Sequence, residues 1–224
     1  MKIVEPLHRL FIWGLEGSRK TSIALELYNR FFKPRGYELI ALQAPSLRDF
    51  KHALLASRVF EKVFLLLDDL TYSYHHMSSD FRTLAQAITL IRHVVGLDKS
   101  VAVAVIAHYA SSIPPVLRTA HVYVLTSLTT PQDVSLASKY FKIRYLTLFR
   151  RLYLRYPNRI ALVNWLGRHG LIKTQGIYHT VKYANTPRLL IEEDQLELPL
   201  NNTFLLGGNT SFPPQGLLKD RLKR

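Results

Sequence analysis

Apolar residues in the first 125 positions fall into short, nearly unbroken blocks separated by amphipathic stretches. Leu7 to Trp13, Tyr37 to Leu42, Val59 to Leu67, Val101 to Ala107 and Val122 to Leu125 show little alternation, which predicts strands buried on both faces. After the first block, Ile23, Leu27 and Phe31 recur every four residues with Ala24 and Tyr28 alongside, predicting a helix that opens at Lys20-Thr21. Lys33-Pro34-Arg35-Gly36 breaks it, since proline cannot continue a helix and glycine permits a left-handed turn. Ser46, with Asp49 three residues later, is placed to cap a helix running to about Arg58. Phe81, Leu84, Ile88, Ile91 and Val95 predict one long helix, capped by Ser78 or Ser79, helped by Asp80 at its positive end and stopped by Gly96. Arg118 ends a short helical turn before the fifth strand. The order β-α-β-α-β-α-β-(short α)-β predicts an α/β fold, a parallel sheet with helices on both faces.

Beyond residue 128 the pattern changes. Pro131 opens a helix through Phe141, and a second spans Ile143 to Tyr156 until Pro157 stops it. On the second, Tyr145, Leu148, Phe149 and Leu152 form the expected apolar stripe, with Arg144, Arg151 and Arg155 at helical spacing beside it. Ile160 to Leu166 and Leu171 to Thr174 read as two strands joined by Gly167-Arg168-His169-Gly170, a hairpin with a basic tip. Asn, Gly and Pro recur from Asn201 onward beside a basic end, the signature of a mobile tail or of an arm that docks on a partner. The chain thus divides into a core (1–128), a basic helix-and-hairpin addition packed on it (129–200) and a basic tail (201–224).

The chemistry concentrates where the first strand meets the first helix. Gly14-Leu15-Glu16-Gly17-Ser18-Arg19-Lys20-Thr21 follows G-x-x-x-x-G-K-[ST] except that Arg19 stands in place of the second glycine. In such a P-loop, backbone N–H groups and the positive end of the helix cradle an anion; the lysine reaches the β/γ-phosphates and the hydroxyl after it ligates Mg²⁺. The stretch Glu16 to Ser22 is therefore the candidate nucleotide-binding loop, with Gly14 supplying its tight turn. The second signal is Phe64-Leu65-Leu66-Leu67 running into Asp68-Asp69. A buried parallel strand ending in acidic residues places Asp68 to hold Mg²⁺ and Asp69 to orient a water or take its proton. The alternative for Asp69 is an exposed loop carboxylate or helix cap. His108, just past the fourth strand, lies near the γ-phosphate if that strand sits between the other two; the alternative is a histidine satisfied by loop backbone. Arg118 is placed either as an arginine finger for a neighbouring subunit or as a simple phosphate ligand. His75-His76 lack accompanying carboxylates and read as loop.

Charge changes the picture again. The 224 residues carry a formal net charge of +14, which points to a polyanionic partner. The excess lies in the second part: residues 129–224 hold 15 Lys/Arg against 6 Asp/Glu, and residues 1–128 hold 15 against 10. Between Val134 and Ile191 there are eleven basic residues and no acidic one. Arg144, Arg151 and Arg155, with Arg168 on the hairpin, form the candidate phosphate-backbone surface, suited to salt-sensitive binding with little sequence preference. The absence of cysteine excludes disulfides and thiolate-bound metal and fits a cytoplasmic location. No run approaches the ~20 residues of a membrane span, and no signal peptide opens the chain, so membrane insertion is not expected.

The run from Leu10 to about Thr174 resembles the additional-strand (ASCE, RecA-like) P-loop ATPases of the HerA/FtsK type, most nearly the short DNA-packaging ATPases of membrane-containing viruses and related mobile elements, archaeal ones especially. The residues that carry the likeness are GLEGSRKT, FLLLDDL and AHYASSIPPVLRTAHVYVLTSL. The resemblance implies a homo-oligomeric ring, usually a hexamer, that hydrolyses ATP with Mg²⁺ at subunit interfaces and translocates double-stranded DNA. A viral capsid or membrane-associated protein would be its partner and the host cytoplasm or the virion its place. It further implies that Lys20 and Thr21 bind phosphates and Mg²⁺, that Asp68 is the Walker B aspartate, that Asp69 replaces the usual catalytic glutamate, and that His108 and Arg118 are sensor and finger. Two departures, Arg19 for glycine and Asp69 for glutamate, are compatible with slow turnover. The alternative is a DNA-binding structural or regulatory protein on a P-loop scaffold with little hydrolysis. A small-molecule kinase is disfavoured by the basic second part and the lack of a lid segment.

Overall fold

Valine and alanine alternate through Ser100–Ala107, and that alternation divides the protein into two layers of side chains around one sheet. In the computed structural model, which describes residues 7–70, 79–110, 113–128, 131–173 and 183–184, this strand is β4. The others are β1 (His8–Trp13), β2 (Glu38–Gln43), β3 (Lys62–Asp68), β5 (Val122–Leu125), β6 (Ile160–Trp165) and β7 (Arg168–Lys173). They form a seven-stranded sheet in the order β2-β3-β4-β1-β5-β6-β7. The first five positions are parallel, and β6 and β7 add antiparallel to the edge of β5. The strand β4 does lie between β1 and β3, so the loops after all three open at one end of the sheet, where α/β folds place ligands.

On one face Val101, Val103 and Val105 pack with Phe11, Trp13, Leu65 and Leu67 beneath six helices. These are α2 (Leu47–Ser57), α3 (Ser79–Thr89), α4 (Ile91–Val95), α5 (Pro115–Arg118), α6 (Pro131–Tyr140) and α7 (Ile143–Arg155). On the other face Ala102 and Ala104 leave room for Phe64 and for the rings of Tyr28 and Phe32, borne by helix α1 (Lys20–Leu27) and the turn after it. The fold is that of a P-loop NTPase core with an added helix pair and hairpin. The capping box of α2 forms as expected: Ser46 Oγ accepts the Asp49 N–H at 3.1 Å and Asp49 Oδ2 accepts the Ser46 N–H at 2.9 Å. Such a cap stabilises a helix by about 1 kcal/mol.

Four local expectations change. Helix α1 widens into a π turn at Tyr28–Phe32, which shifts the buried face by one residue. Phe32 therefore takes the core position expected of Phe31, which instead meets Trp165 edge-on at 5.1 Å. The helix expected from Ser79 to Val95 is interrupted at Leu90, whose φ of −97° and ψ of 16° leave the helical basin. Leu148 is 45% exposed and stands outside the apolar stripe of α7, where Leu146 is buried instead alongside Phe149. The hairpin turns at Leu166-Gly167, both at positive φ as a two-residue type I′ loop requires, and not at the Gly-Arg-His-Gly stretch. Asn164 Oδ1 accepts the Gly167 N–H at 2.8 Å and fixes that turn; Arg168 and His169 are strand residues paired with Trp165 and Asn164. The readings made for His75-His76, Ser78, Thr174 and the tail from 201 fall outside the described residues.

Candidate functional site

The loop between β1 and α1 is held from below by the end of β5. Gly14, at φ 152°, lies so close to this support that a Cβ there would stand 2.1 Å from Thr126 Oγ1 and 2.8 Å from Ser127 Oγ. Ser127 Oγ accepts the Leu15 N–H at 2.6 Å. The buried hydroxyls of Ser18 and Thr126 pair at 2.6 Å between the carbonyls of Leu15, 2.6 Å from Ser18, and Trp13, 3.0 Å from Thr126. These contacts fix the loop from the side of β5. Arg19, at φ 63° and ψ 30°, occupies the left-handed conformation that the missing glycine would have supplied. The loop shape survives the substitution at the expense of backbone strain of roughly 1–2 kcal/mol.

Lys20, the first residue of α1, is only 5% exposed. Its ammonium donates to Leu15 O at 2.7 Å and lies 3.3 Å from His108 Nδ1. An ammonium has no acceptor, so Nδ1 must accept and the ring proton resides on Nε2. Nε2–H then donates to Asp69 Oδ1 at 2.6 Å. A chain of hydrogen bonds thus runs from the loop carbonyl through Lys20 and His108 to Asp69. Burial lowers the Lys20 pKa, while Asp69, Asp68 and Glu16 hold it charged.

Beside it, Thr21 Oγ1 donates to Asp68 Oδ2 at 2.7 Å, and the same oxygen accepts the Tyr183 hydroxyl at 2.5 Å. Asp68 is 2% exposed, and burial raises its pKa against the opposing hydrogen bonds from Tyr183 and Thr21. Burial and the Asp68 charge together push the Tyr183 phenol far above its ordinary range, so it remains a donor.

A cleft of about 260 Å³ opens over these groups, lined by Glu16, Gly17, Arg19, Lys20, Thr21, Ser22, Asp69 and His108. Gly14 and Ser18 lie beneath it as loop supports, and Asp68 is behind Thr21. Arg118 does not line this cleft. It ends α5, with Nε buried without a hydrogen-bond partner among the described residues, and its charge acts on Tyr140. Arg144, Arg151 and Arg155 share the exposed side of α7, and Arg168 is exposed on β7. Arg144 lies 4.7 Å over the Tyr145 ring, which stacks on His169 at 4.9 Å.

The donor set suits a magnesium–triphosphate. Among the described residues no group of three or more His, Cys, Asp or Glu could hold a metal alone. A hydroxyl paired with one buried carboxylate matches the way Mg²⁺ is shared between protein and phosphate oxygens. Thr126, Ser127 and Tyr183 were not anticipated as parts of the site. For the first two, a polar pair directly after the buried strand Val122–Leu125 is the available signal; Tyr183 is far away in sequence and has none.

No protein-family model and no curated protein matches the chain significantly. Among solved structures, it is similar to the genome packaging NTPase B204 from Sulfolobus turreted icosahedral virus 2 in complex with AMPPCP. There the TM-score is 0.54 at 14% identity, over 76% of this chain and 100% of that one. The complex of the same protein with ATP-gammaS gives a TM-score of 0.55 at 12% identity, covering 75% and 97%. B204 described as the DNA-packaging ATPase from Sulfolobus turreted icosahedral virus gives 0.56 at 11%, covering 76% and 98%. At these identities the likeness speaks for the fold.

Proposed function

We propose that this chain is an Mg²⁺-dependent ATPase that translocates double-stranded DNA, acting in viral genome packaging as a ring of like subunits. The observation that carries the reading is the constellation of Lys20, Thr21, Asp69 and His108 lining one cleft, with Asp68 behind Thr21, on a fold shared with packaging NTPases. Lys20, Thr21 and the amides of the Gly17–Ser22 turn bind the triphosphate. Thr21 and Asp68 hold Mg²⁺, which when bound neutralises charge developing on the phosphate oxygens. Arrival of the γ-phosphate gives the Lys20 ammonium a stronger acceptor than the Leu15 carbonyl. Release of Lys20 frees His108 Nδ1, so His108 and Asp69 respond together to whether the γ-phosphate is present. Asp69 then orients water, its position set by the Nε2–H bond. Arg118 serves a neighbouring subunit, and Arg144, Arg151, Arg155 and Arg168 contact DNA phosphates.

The test is ATP turnover by the purified protein with and without double-stranded DNA, alongside Lys20→Ala. Turnover stimulated by DNA and lost in the variant is expected. A second reading, a DNA-binding protein on a P-loop scaffold with little hydrolysis, is favoured by the strained Arg19 and by aspartate at position 69. DNA binding indifferent to ATP and to Lys20→Ala would establish it instead.

A further inference from the structure

Asp68 Oδ2 accepts two hydroxyl hydrogens, one from Thr21 and one from Tyr183. A carboxylate oxygen has two lone pairs, so these two donors fill Oδ2 and fix how the carboxylate is turned. Thr21 belongs to the nucleotide loop, as in the reading above. Tyr183 does not. It lies ten residues beyond the end of β7, yet it returns to the opposite edge of the sheet from the hairpin. The Ala184 N–H donates to Ala41 O at 2.7 Å on the outer edge of β2, and Ala184 is 1% exposed. From this anchor the Tyr183 ring packs against the α1 side of the core and its hydroxyl reaches across to the end of β3. In the sheet register Ala41 pairs with Leu66, and Gln43 with Asp68, so the anchor lies two positions from the residue it serves.

We infer that Tyr183 is a positioning residue of the magnesium–nucleotide site: its hydroxyl, anchored through Ala184 on the edge of β2, locks the Asp68 carboxylate in the orientation that holds the cation. The nucleotide site of this protein is then completed by the chain beyond the hairpin as well as by the core strands. Hydroxyl donors aimed at a ligating carboxylate fix its rotamer, and loss of such a partner typically weakens metal affinity by about 10- to 100-fold. The inference rests on the Mg²⁺–nucleotide reading of the cleft.

The experiment is equilibrium binding of a fluorescent ATP analogue to the full chain, with Mg²⁺ and with EDTA, for wild type, Lys20→Ala, Tyr183→Phe and Tyr183→Ala. Tyr183→Phe keeps the ring and removes only the hydroxyl. It is expected to weaken Mg²⁺-dependent binding about tenfold or more, to leave binding in EDTA within about twofold, and to retain the wild-type circular dichroism. Tyr183→Ala is expected to show the same Mg²⁺-specific loss together with a lower melting temperature, because it also removes the packed ring. Tyr183→Phe that binds Mg²⁺–nucleotide as tightly as wild type, with only Tyr183→Ala affected, would reduce Tyr183 to core packing and overturn the inference. Tighter binding by Tyr183→Phe would overturn it too, by showing that the hydroxyl blocks the site. Failure of the wild type itself to bind, or binding indifferent to Lys20→Ala, would overturn the nucleotide reading beneath it.

Discussion

Replacing Arg19 tests whether the phosphate loop keeps its shape against its own sequence. A non-glycine residue held at φ 63° and ψ 30° is disfavoured by roughly 1–2 kcal/mol because its Cβ crowds the following carbonyl oxygen. Glycine escapes that crowding but loses more conformational freedom on folding, by about 0.5–1 kcal/mol. Arg19→Gly alone would confound the backbone with whatever the guanidinium contributes beside the cleft, so the informative comparison is Arg19→Gly against Arg19→Ala. Both lack the guanidinium, and only the alanine retains the crowded Cβ. Taken at their midpoints, the two terms favour the glycine variant by roughly 0.75 kcal/mol. For a chain of this size that corresponds to about 1–4 °C in melting temperature. Scanning calorimetry of both variants without nucleotide measures it. An alanine variant as stable as the glycine one would refute the argument, since Arg19 would then not be strained.

Other outcomes follow from the same geometry. Gly14→Ala places a Cβ 2.1 Å from Thr126 Oγ1 in a left-handed conformation, and overpacking plus strain should remove about 3 kcal/mol, seen as a fall of roughly 6–12 °C in melting temperature. Burial raises the Asp68 pKa above its ordinary value, so the folded protein holds that proton more tightly than the unfolded chain does. The contribution of this group to stability therefore falls as pH rises from about 4 through the folded value. Asp68→Asn should melt higher than wild type at pH 7 without nucleotide and flatten the dependence of melting temperature on pH. His108→Ala removes the donor to Asp69 and should lower kcat about 10- to 100-fold in steady-state kinetics, with nucleotide affinity within about threefold. If Arg144, Arg151 and Arg155 each touch a phosphate, their joint replacement by alanine should reduce the slope of log K against log salt by about 2.7 in DNA-binding titrations.

The order of the core elements was legible because parallel buried strands and their helices leave strong signals. FLLLDD reads as a buried strand running into carboxylates, and Ser46 and Asp49 cap the preceding helix as their chemistry dictates. The Lys20, Thr21 and Asp68 cluster was legible because each residue sits at a fixed offset from a strand end. What the sequence obscured is local phase and long-range return. Phe31 and Phe32 are chemically alike, so nothing in the run announced the π turn that swaps them. Gly167 and Gly170 both offered a turn, and the choice fell to Leu166-Gly167, where Asn164 supplies a side-chain acceptor. The Ser18, Thr126 and Ser127 network and the Tyr183 bond join residues more than 100 positions apart, a distance over which no local pattern carries information.

The most direct test of the nucleotide site is an experimental structure with Mg²⁺ and a non-hydrolysable ATP analogue. The expected structure has the triphosphate against the Gly17–Ser22 turn, the cation at Thr21 and Asp68, and Lys20 Nζ moved from Leu15 O and His108 onto the β- and γ-phosphates. A nucleotide bound elsewhere, or bound in the cleft with Lys20 still on the Leu15 carbonyl, would contradict it.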